Sequence, residues 1–319
     1  MLWLILMIPL LGILIAVAIA CSFYTDRAIR QAEADFPPQG KYVKVAGVRL
    51  HYICKGSEQA VVLLHGNPGS VQDYPPETID RIAQEYCLYA FDLPGHGYSD
   101  RPAIATPLVQ AQLLRSALQK IGIEKPILVA YSWSSAIALA YALRYPDEVA
   151  GIVLVSAIAY KVNHALLPLA KFAQSSLLEF LLKLIPPNLV GYILFAHLKK
   201  GFLPKSPNVD YLKAAQALWT RPIQIQASLE DSKNLQSALD EMKKRYSEIE
   251  VPVVIVVGDS DNFVSAKDNS YRLRDRLSHA QLIILPDTGH AIPQTQPQAV
   301  INAINIIGKQ IDKNNTNLN

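Results

Sequence analysis

Short apolar runs alternate with helical stretches along most of this chain, and that alternation limits the fold more than any other feature of the sequence. Each run is rich in Val, Ile and Leu, as in strands buried on both faces. Strands are predicted at Tyr42–Val45, Val48–Ile53, Val61–Leu64, Leu88–Phe91, Ile127–Ala130, Ile152–Val155, Val253–Val257 and Gln281–Leu285. Helices are predicted at Glu77–Glu85, Pro107–Ile121, Ser134–Tyr145, Ala266–Leu277 and Pro297–Ile311. We therefore expect an α/β fold with a mostly parallel central sheet flanked by helices.

One long segment, residues 158–249, interrupts the alternation because it contains helical patterns without a convincing strand. It lies between two predicted core strands, so it is expected to be an inserted helical lid. The core is then formed by residues 41–157 and 250–312. The stretch Leu166–Phe202 of this lid is strongly apolar. Packing on the core accounts for part of that character, and an apolar acyl pocket or a membrane-contacting face accounts for the rest.

The composition is that of a globular chain, since half of the residues are hydrophobic and 18% are charged. A net charge of +3 does not indicate a nucleic-acid partner. The odd number and wide spacing of Cys21, Cys54 and Cys87 exclude a disulfide scaffold or a cysteine-based zinc site. The histidines show no metal-binding spacing either, so no metal site is expected.

The first 20 residues carry no charged side chain. At about 1.5 Å per residue such a helix spans roughly 30 Å, the thickness of a bilayer's hydrocarbon core. We predict a transmembrane anchor over residues 1–21, inserted through residues 1–20, and a polar connector over 22–40. A cleaved signal is the alternative, because Ala18–Cys21 resembles a cleavage or lipoprotein site, although a basic leader is missing. Arg27 and Arg30 follow the anchor and favour a cytoplasmic catalytic domain.

A predicted strand runs almost directly into a helix at Ser132. A serine at such a junction sits on a sharp, strained turn at the carboxyl edge of the sheet, where a nucleophile is exposed to substrate. The turn requires small residues two positions away on each side. Ala130 and Ser134 occupy those positions, where glycine is usual. Taken alone, Ser132 fits a helix cap equally well.

Two other polar motifs follow late strands of the predicted sheet. Asp259 and Asp261 come after the seventh strand, and His290 comes after the eighth. An acid in that place can orient a histidine, and the histidine can then accept the proton of a serine hydroxyl. The chain order of serine, acid and histidine predicts Ser132 as nucleophile and His290 as base. Either aspartate can be the acid.

The loop after the third predicted strand, His65–Gly69, has the sequence HGNPG. In a sheet of this kind it is expected beside Ser132, where its backbone N–H groups can face a developing oxyanion. We assign the oxyanion hole to the backbone N–H groups of Asn67 and Trp133. The glycines of the loop otherwise fit ordinary turn chemistry.

From about residue 40 to 310 the chain resembles a lid-bearing α/β-hydrolase of the esterase and lipase type. The resemblance rests on motifs in a fixed order, which are His65–Gly69, Asp92–Ser99, Tyr131–Trp133, Gly258–Asp261 and Gly289–His290. It implies the α/β-hydrolase fold, a triad of Ser132, Asp261 and His290, and no cofactor. It also favours Asp261 over Asp259 as the acid.

The HGNP sequence is similar to the oxyanion loop of haloalkane dehalogenases and epoxide hydrolases, which use an aspartate where this chain has Ser132. A serine implies acyl transfer through an acyl-serine. We therefore expect hydrolysis of carboxylic esters, and the apolar lid and the anchor favour hydrophobic or acyl-lipid esters. A C–C bond hydrolase or an aminopeptidase is the alternative on the same scaffold. A catalytically silent binding protein is a third hypothesis, because the turn at Ser132 lacks both glycines.

Overall fold

The computed structural model describes residues 2–161 and 187–316, together with Ser175, Leu178, Leu181, Leu182, Leu184 and Ile185. Within these residues eight strands form one sheet. They are β1 (Lys41–Val45), β2 (Val48–Lys55), β3 (Ala60–Leu64), β4 (Cys87–Phe91), β5 (Ile127–Tyr131), β6 (Gly151–Val155), β7 (Val253–Gly258) and β8 (Gln281–Leu285). Each predicted strand is present, with its ends within about two residues of the expected positions.

The strand order is β1-β2-β4-β3-β5-β6-β7-β8. Strands β3 to β8 pair in parallel, whereas β2 is antiparallel to both β1 and β4. Ala46 and Gly47 connect β1 to β2 with φ angles of 48° and 82°, the positive values that a two-residue hairpin turn requires. Because the carboxyl ends of the parallel strands share one edge, the loops after β3, β5, β7 and β8 come together there.

The helices of the described residues are α1 (Leu2–Asp35), α2 (Pro76–Ile82), α3 (Pro107–Lys120), α4 (Ser135–Arg144), α5 (Pro187–Lys200), α6 (Val209–Trp219), α7 (Pro222–Met242), α8 (Arg272–Arg276), α9 (Ile292–Thr295) and α10 (Pro297–Thr316). The helix expected over Ala266–Leu277 begins as a π turn at Lys267–Tyr271 and continues as α8. The last helix extends past its expected end, Ile311, to Thr316.

Helices cover both faces of the sheet and create two apolar cores. In β3, Val61 and Leu63 point into the core formed with α2 and α10, whereas Val62 and Leu64 point into the core formed with α3 and α4. This alternation of successive side chains follows from the pleat of a strand. It leaves the carboxyl edge of the sheet as the place where polar loops gather.

Helices α5, α6 and α7 lie in the predicted lid segment, between β6 and β7. Helix α7 packs on α3 and α4, and its buried leucines join the core on that face. Six of the apolar residues that predicted a greasy lid lie outside the described residues, namely Leu166, Leu167, Leu169, Phe172, Leu177 and Phe180.

Helix α1 runs for 34 residues, which at about 1.5 Å per residue gives roughly 50 Å. It therefore includes residues 22–35, which were expected to be a connector, and it ends just before Phe36-Pro37. Its second half packs against α6, with Thr25 and Ala32 buried. Its first half exposes apolar side chains, including Met7, Leu11, Ile13, Ile15, Val17 and Ile19. Among the described helices, one segment, Leu11–Asp35, is long and apolar enough to cross a membrane.

Candidate active site

Strand β5 ends at Tyr131, and Ser132 begins a short 3₁₀ turn that leads into α4. The φ angle of Ser132 is 55°, in the left-handed region that costs free energy for any residue with a side chain. Ala130 and Ser134 are fully buried. The Ser134 hydroxyl lies 3.1 Å from the carbonyl oxygen of Leu64 in β3 and 3.0 Å from that of Tyr131. A serine in place of glycine thus ties the turn to the neighbouring strand.

The structure brings Ser132, His290 and Asp261 into one hydrogen-bonded series. Nε2 of His290 lies 2.9 Å from Oγ of Ser132, and Nδ1 lies 2.8 Å from Oδ2 of Asp261. An ionised carboxylate only accepts hydrogen bonds, so Nδ1 carries the proton and Nε2 is free to accept the hydroxyl proton of Ser132. This arrangement can deprotonate the serine as it attacks a carbonyl carbon.

The environments of the two candidate acids differ. The Asp261 side chain is 1% exposed, and its Oδ1 accepts the backbone N–H groups of Phe263 at 2.8 Å and Val264 at 2.9 Å. Both of its oxygens are therefore fixed. Asp259 is exposed, and its Oδ1 accepts the hydroxyl of Ser260. Of the two, Asp261 is the one that contacts the histidine.

The loop that carries His290 is held by contacts that the sequence did not predict. The Ser156 hydroxyl, just after β6, donates to the backbone oxygen of His290 at 2.9 Å. The rings of Tyr131 and Phe263 lie 5.3 Å and 5.5 Å from the imidazole ring. The available signal for Ser156 was a polar residue at the end of a buried strand, which many strands share.

The loop His65–Gly69 lies beside the serine. A Cβ built on Gly66 would lie 3.6 Å from Cβ of Ser132 and 3.1 Å from the Tyr131 ring, so a larger residue would crowd the turn. The backbone N–H of Trp133 belongs to the first turn of a helix, where N–H groups lack an intrahelical partner. The Asn67 side chain donates to the Ser228 carbonyl oxygen of α7 at 3.0 Å. The oxyanion role of Asn67 and Trp133 stays a prediction.

His65 is a structural member of this loop. Its Nδ1 donates to the backbone oxygen of Gly66 at 2.7 Å, and its Nε2 accepts the N–H of Leu93 at 2.9 Å. Burial lowers the pKa of His65 to about 4, so the ring is neutral at physiological pH. A neutral ring with both nitrogens occupied supports the loop.

The sequence does not predict a role for Asp73 either. This residue ends a short 3₁₀ turn, Val71–Asp73, that follows the HGNPG loop. Burial raises the pKa of its carboxyl group to about 7. Nothing in the local sequence distinguishes it from a surface aspartate, because its burial depends on the lid helix α6, far along the chain.

The predicted lid segment is attached near the site by a buried acid of α7. Asp231 accepts hydrogen bonds from Nε2 of His96 at 2.9 Å and from Gln110 at 3.0 Å, and it pairs with Nη1 of Arg101 at 2.9 Å. Its backbone oxygen accepts the indole N–H of Trp133 at 3.2 Å. His96 thus serves in packing. Among the described residues, no group of three or more His, Cys, Asp or Glu side chains is placed to hold a metal ion.

The family model for the alpha/beta hydrolase fold matches residues 59–295. The chain belongs to the α/β-hydrolase family. The predicted family and fold class are thereby confirmed, and the protein is a hydrolase by family.

Relatives of this α/β-hydrolase have several activities in their names. It is 23% identical over 275 residues to epoxide hydrolase 3 of Xenopus tropicalis, a match that covers 81% of this chain and 74% of that protein. An α/β-hydrolase-fold protein from Burkholderia ambifaria has a TM-score of 0.73 at 22% identity, and the match covers 83% of this chain and 96% of that protein. A bacterial membrane phospholipase A has a TM-score of 0.66 at 20% identity, with 96% and 98% covered.

Proposed function

We propose that this α/β-hydrolase is a serine hydrolase that cleaves carboxylic esters through an acyl-serine intermediate. The proposal rests on the hydrogen bond between Ser132 Oγ and His290 Nε2 at a strained strand-to-helix turn. His290 takes the serine proton as Oγ attacks the ester carbonyl, and then gives that proton to the departing alkoxide. Asp261 stabilises the imidazolium formed between these steps. Water, activated by His290, then hydrolyses the acyl-serine.

The negative charge that develops on the carbonyl oxygen requires hydrogen-bond donors in a fixed position. In this proposal the backbone N–H groups of Asn67 and Trp133 supply them. Removing one such donor lowers kcat on the order of 10²–10³-fold in a serine protease, so the contribution of each donor to catalysis is large. Both donors belong to backbone, which makes them rigid and independent of pH.

Likeness to an epoxide hydrolase does not favour epoxide hydrolysis by this chain. A carboxylate that opens an epoxide forms an ester, which water can cleave. A serine that opened an epoxide would form an ether, which water does not cleave under mild conditions, so the enzyme would stall. Ser132 occupies the nucleophile position, and an acyl group is the group that a serine can both accept and release.

The preferred substrates in this proposal are hydrophobic or acyl-lipid esters. The support is the apolar lid stretch and the exposed apolar first half of α1. Each CH₂ of the acyl chain that is buried contributes up to about 0.8 kcal/mol to binding, close to a factor of four in specificity. Water that remains in the pocket and the ordering of the acyl chain reduce this gain.

Aryl esters of increasing acyl length, assayed below their micelle concentrations, test this substrate preference. We expect kcat/KM to rise from acetate to octanoate, because the bound chain positions the carbonyl over Ser132. An uncharged aryl epoxide and an uncharged peptide anilide of similar size serve as controls for the other hydrolase classes. A flat profile would mean that the pocket is small, and turnover of an anilide alone would replace the esterase proposal with a peptidase.

The proposal includes membrane attachment through residues 1–20 and a cytoplasmic catalytic domain, since Arg27 and Arg30 follow the apolar segment. The likeness to a membrane phospholipase A supports an activity next to lipid. Washing membranes with alkaline carbonate should leave the full-length chain in the pellet, whereas a chain starting near Asp35 should be soluble. Recovery of a mature chain that begins at Cys21 would instead establish a cleaved signal.

A further inference from the structure

Asp73 joins two parts of the protein through one carboxyl group. The residue is 1% exposed. Its Oδ2 accepts the backbone N–H of Gly66 at 3.1 Å, and its Oδ1 accepts the hydroxyl of Tyr211 at 3.2 Å. Gly66 immediately precedes Asn67, the predicted oxyanion donor, and Tyr211 lies on the lid helix α6. A single side chain therefore contacts both the oxyanion loop and the lid.

The backbone beside this carboxyl group is bound to a third part of the site. Nε2 of Gln294, in the short helix α9 after His290, donates to the backbone oxygens of Gln72 at 2.9 Å and Asp73 at 3.1 Å. A Cβ built on Gly69 would lie 2.6 Å from Oδ2 of Asp73, so the loop closes tightly over the carboxyl group. The loop His65–Gly69 (the oxyanion loop), helix α9 after His290 and lid helix α6 thus meet at Asp73.

The groups that face the Asp73 carboxyl group are acidic or neutral. Asp92 adds a like charge, the hydroxyls of Tyr211, Tyr131 and Tyr74 are near, and the backbone N–H groups of Gly66 and Ser70 are the other donors. His65, also in the loop, is neutral. In the part of the chain that the structure describes, no Lys or Arg forms an ion pair with Asp73. Buried carboxyl groups without a cation are rare in purely structural positions.

We propose that Asp73 is a positioning residue that couples the seating of lid helix α6 to the geometry of the oxyanion loop. The inference rests on the proposed ester hydrolysis for its kinetic consequences only. When Asp73 accepts both hydrogen bonds, the Gly66 N–H is held in place, and the next N–H along the chain, that of Asn67, keeps its direction. Hydrogen bonds to an ionised acceptor are about twice as strong as neutral ones, so the carboxylate form holds both partners best.

The coupling depends on pH because it requires the ionised form of the Asp73 carboxyl group. Burial raises the pKa of Asp73 to about 7, so the carboxylate that holds loop and lid forms as the pH rises through that value. Its contribution to activity is therefore present above about pH 7 and is lost below it. Stability changes in the opposite direction, because a raised carboxyl pKa means that the native state loses stability as the pH rises from about 4 through about 7.

Tyr211→Phe tests the coupling from the lid side, with Tyr192→Phe as its matched control. Tyr192 is another lid tyrosine and is 76% exposed. We expect Tyr211→Phe to lower kcat several-fold even for an acetate ester, which is too short to reach the lid. A lid contact without coupling would raise KM for long esters and leave kcat for acetate unchanged. Rates are divided by the active sites that a phosphonate probe titrates, so that poor folding does not count as lost kcat.

Asp73 itself is tested by two variants, with the exposed Asp80→Asn as control. Asp73→Ala removes both acceptors and should lower kcat by about 10- to 100-fold, somewhat less than loss of an oxyanion donor itself. Asp73→Asn keeps one acceptor without the charge, so it should show at every pH the activity that the natural chain has below about pH 7, and it should lose the Asp73-dependent inflection near pH 7. Combining Asp73→Ala with Tyr211→Phe should add little further loss, because the two side chains act through one contact. Additive losses would overturn the proposal.

Two readouts need no catalytic activity. Hydrogen exchange of a peptide covering residues 64–70 should be faster in Tyr211→Phe than in Tyr192→Phe, and equal rates would overturn the coupling. Asp73→Asn should have a Tm about 2–4 °C above that of the natural chain near pH 8, and the difference should shrink to near zero at about pH 4. A lower Tm at both pH values would make Asp73 a merely structural residue. Ester hydrolysis that is absent from the natural chain, with the exchange result intact, would overturn only the proposed function.

Discussion

The sheet core and the lid are stabilised in different ways. The sheet is held by two apolar clusters, in which hydrophobic burial is non-directional and many side-chain arrangements are nearly equivalent. Helices α6 and α7 add buried polar contacts with the loops at the sheet edge, centred on Asp231, Arg221 and the Asp73–Tyr211 pair, to the apolar packing of α7. Buried polar contacts tolerate one geometry and become costly when one partner is removed. Both kinds of contact therefore contribute stability, and we expect the polar contacts also to fix the position of helices α6 and α7 relative to Ser132.

Arg221 extends this polar attachment to the N-terminal helix. It donates to the backbone oxygen of Gly97, lies 5.2 Å from the Tyr98 ring and pairs through Nη1 with Glu33 of α1 at 3.0 Å. The Tyr98 hydroxyl in turn donates to the backbone oxygen of Phe36, where α1 has ended. Lid, core loop and α1 are thus connected through one buried guanidinium group.

The largest expected effect falls on the catalytic edge of the core. His290→Ala should lower kcat by on the order of 10⁴–10⁶, because members of a catalytic triad act as a unit. Asp261→Asn should retain somewhat more activity, and Asp259→Asn, the matched control two residues away, should stay near normal. Steady-state kinetics on an aryl ester measures all three variants. If Asp259→Asn were the more damaging change, the acid would be assigned to the wrong aspartate.

The next effect separates polar attachment from apolar packing within a single helix, α7. Asp231→Ala leaves Nε2 of His96 without its partner and removes one of the two carboxylates that pair with Arg101, so it should lower the free energy of unfolding by about 3–5 kcal/mol. Leu239→Ala, also fully buried, should cost about 2–5 kcal/mol. Urea unfolding gives both values, and the exposed Asp240→Ala on the same helix should be nearly silent.

Kinetics on the same two variants sharpens the comparison. Per titrated active site, Leu239→Ala should keep its kcat, because apolar packing can relax without moving the lid contacts. Asp231→Ala should lose kcat as well, because its side chain anchors the turn of α7 whose backbone oxygen accepts the indole N–H of Trp133. Equal kcat values in the two variants would show that the polar contacts do not align the site.

The smallest effect concerns the link between the lid and α1. Glu33 is part of an ion pair that is partly open to solvent, so Glu33→Gln should cost about 0.2–1 kcal/mol, and less in high salt. Asp35→Asn is the control, because Asp35 is exposed and lies two residues further along α1. Thermal unfolding at low and high salt measures the difference. A salt-independent loss larger than that of Asp231→Ala would place the main lid attachment on α1.

The sequence predicts the core well because parallel strands buried on both faces are short apolar runs with polar ends. The same rule brings Ser132, Asp261 and His290 to one edge, since each follows a different parallel strand. Local patterns of this kind survive in the folded state, because the residues that create them are neighbours in the chain.

Long-range contacts explain what the sequence does not predict. Asp73 and Asp231 are ordinary acids in their local sequence, and their burial depends on Tyr211 and His96, which are more than a hundred residues away. The polar pattern of residues 22–35 likewise does not reveal that this part of α1 packs against α6. Ser156 becomes important only because the His290 loop returns to it.

The most direct test of the acyl-serine account is covalent labelling of the natural chain with a serine-directed fluorophosphonate. Digestion and mass spectrometry should place the adduct on Ser132. Labelling should be abolished in Ser132→Ala and strongly slowed in His290→Ala, whereas Ser135→Ala, in the first turn of α4, should still be labelled at Ser132. An unlabelled chain, or an adduct on another serine, would contradict the account and leave a catalytically silent α/β-hydrolase fold.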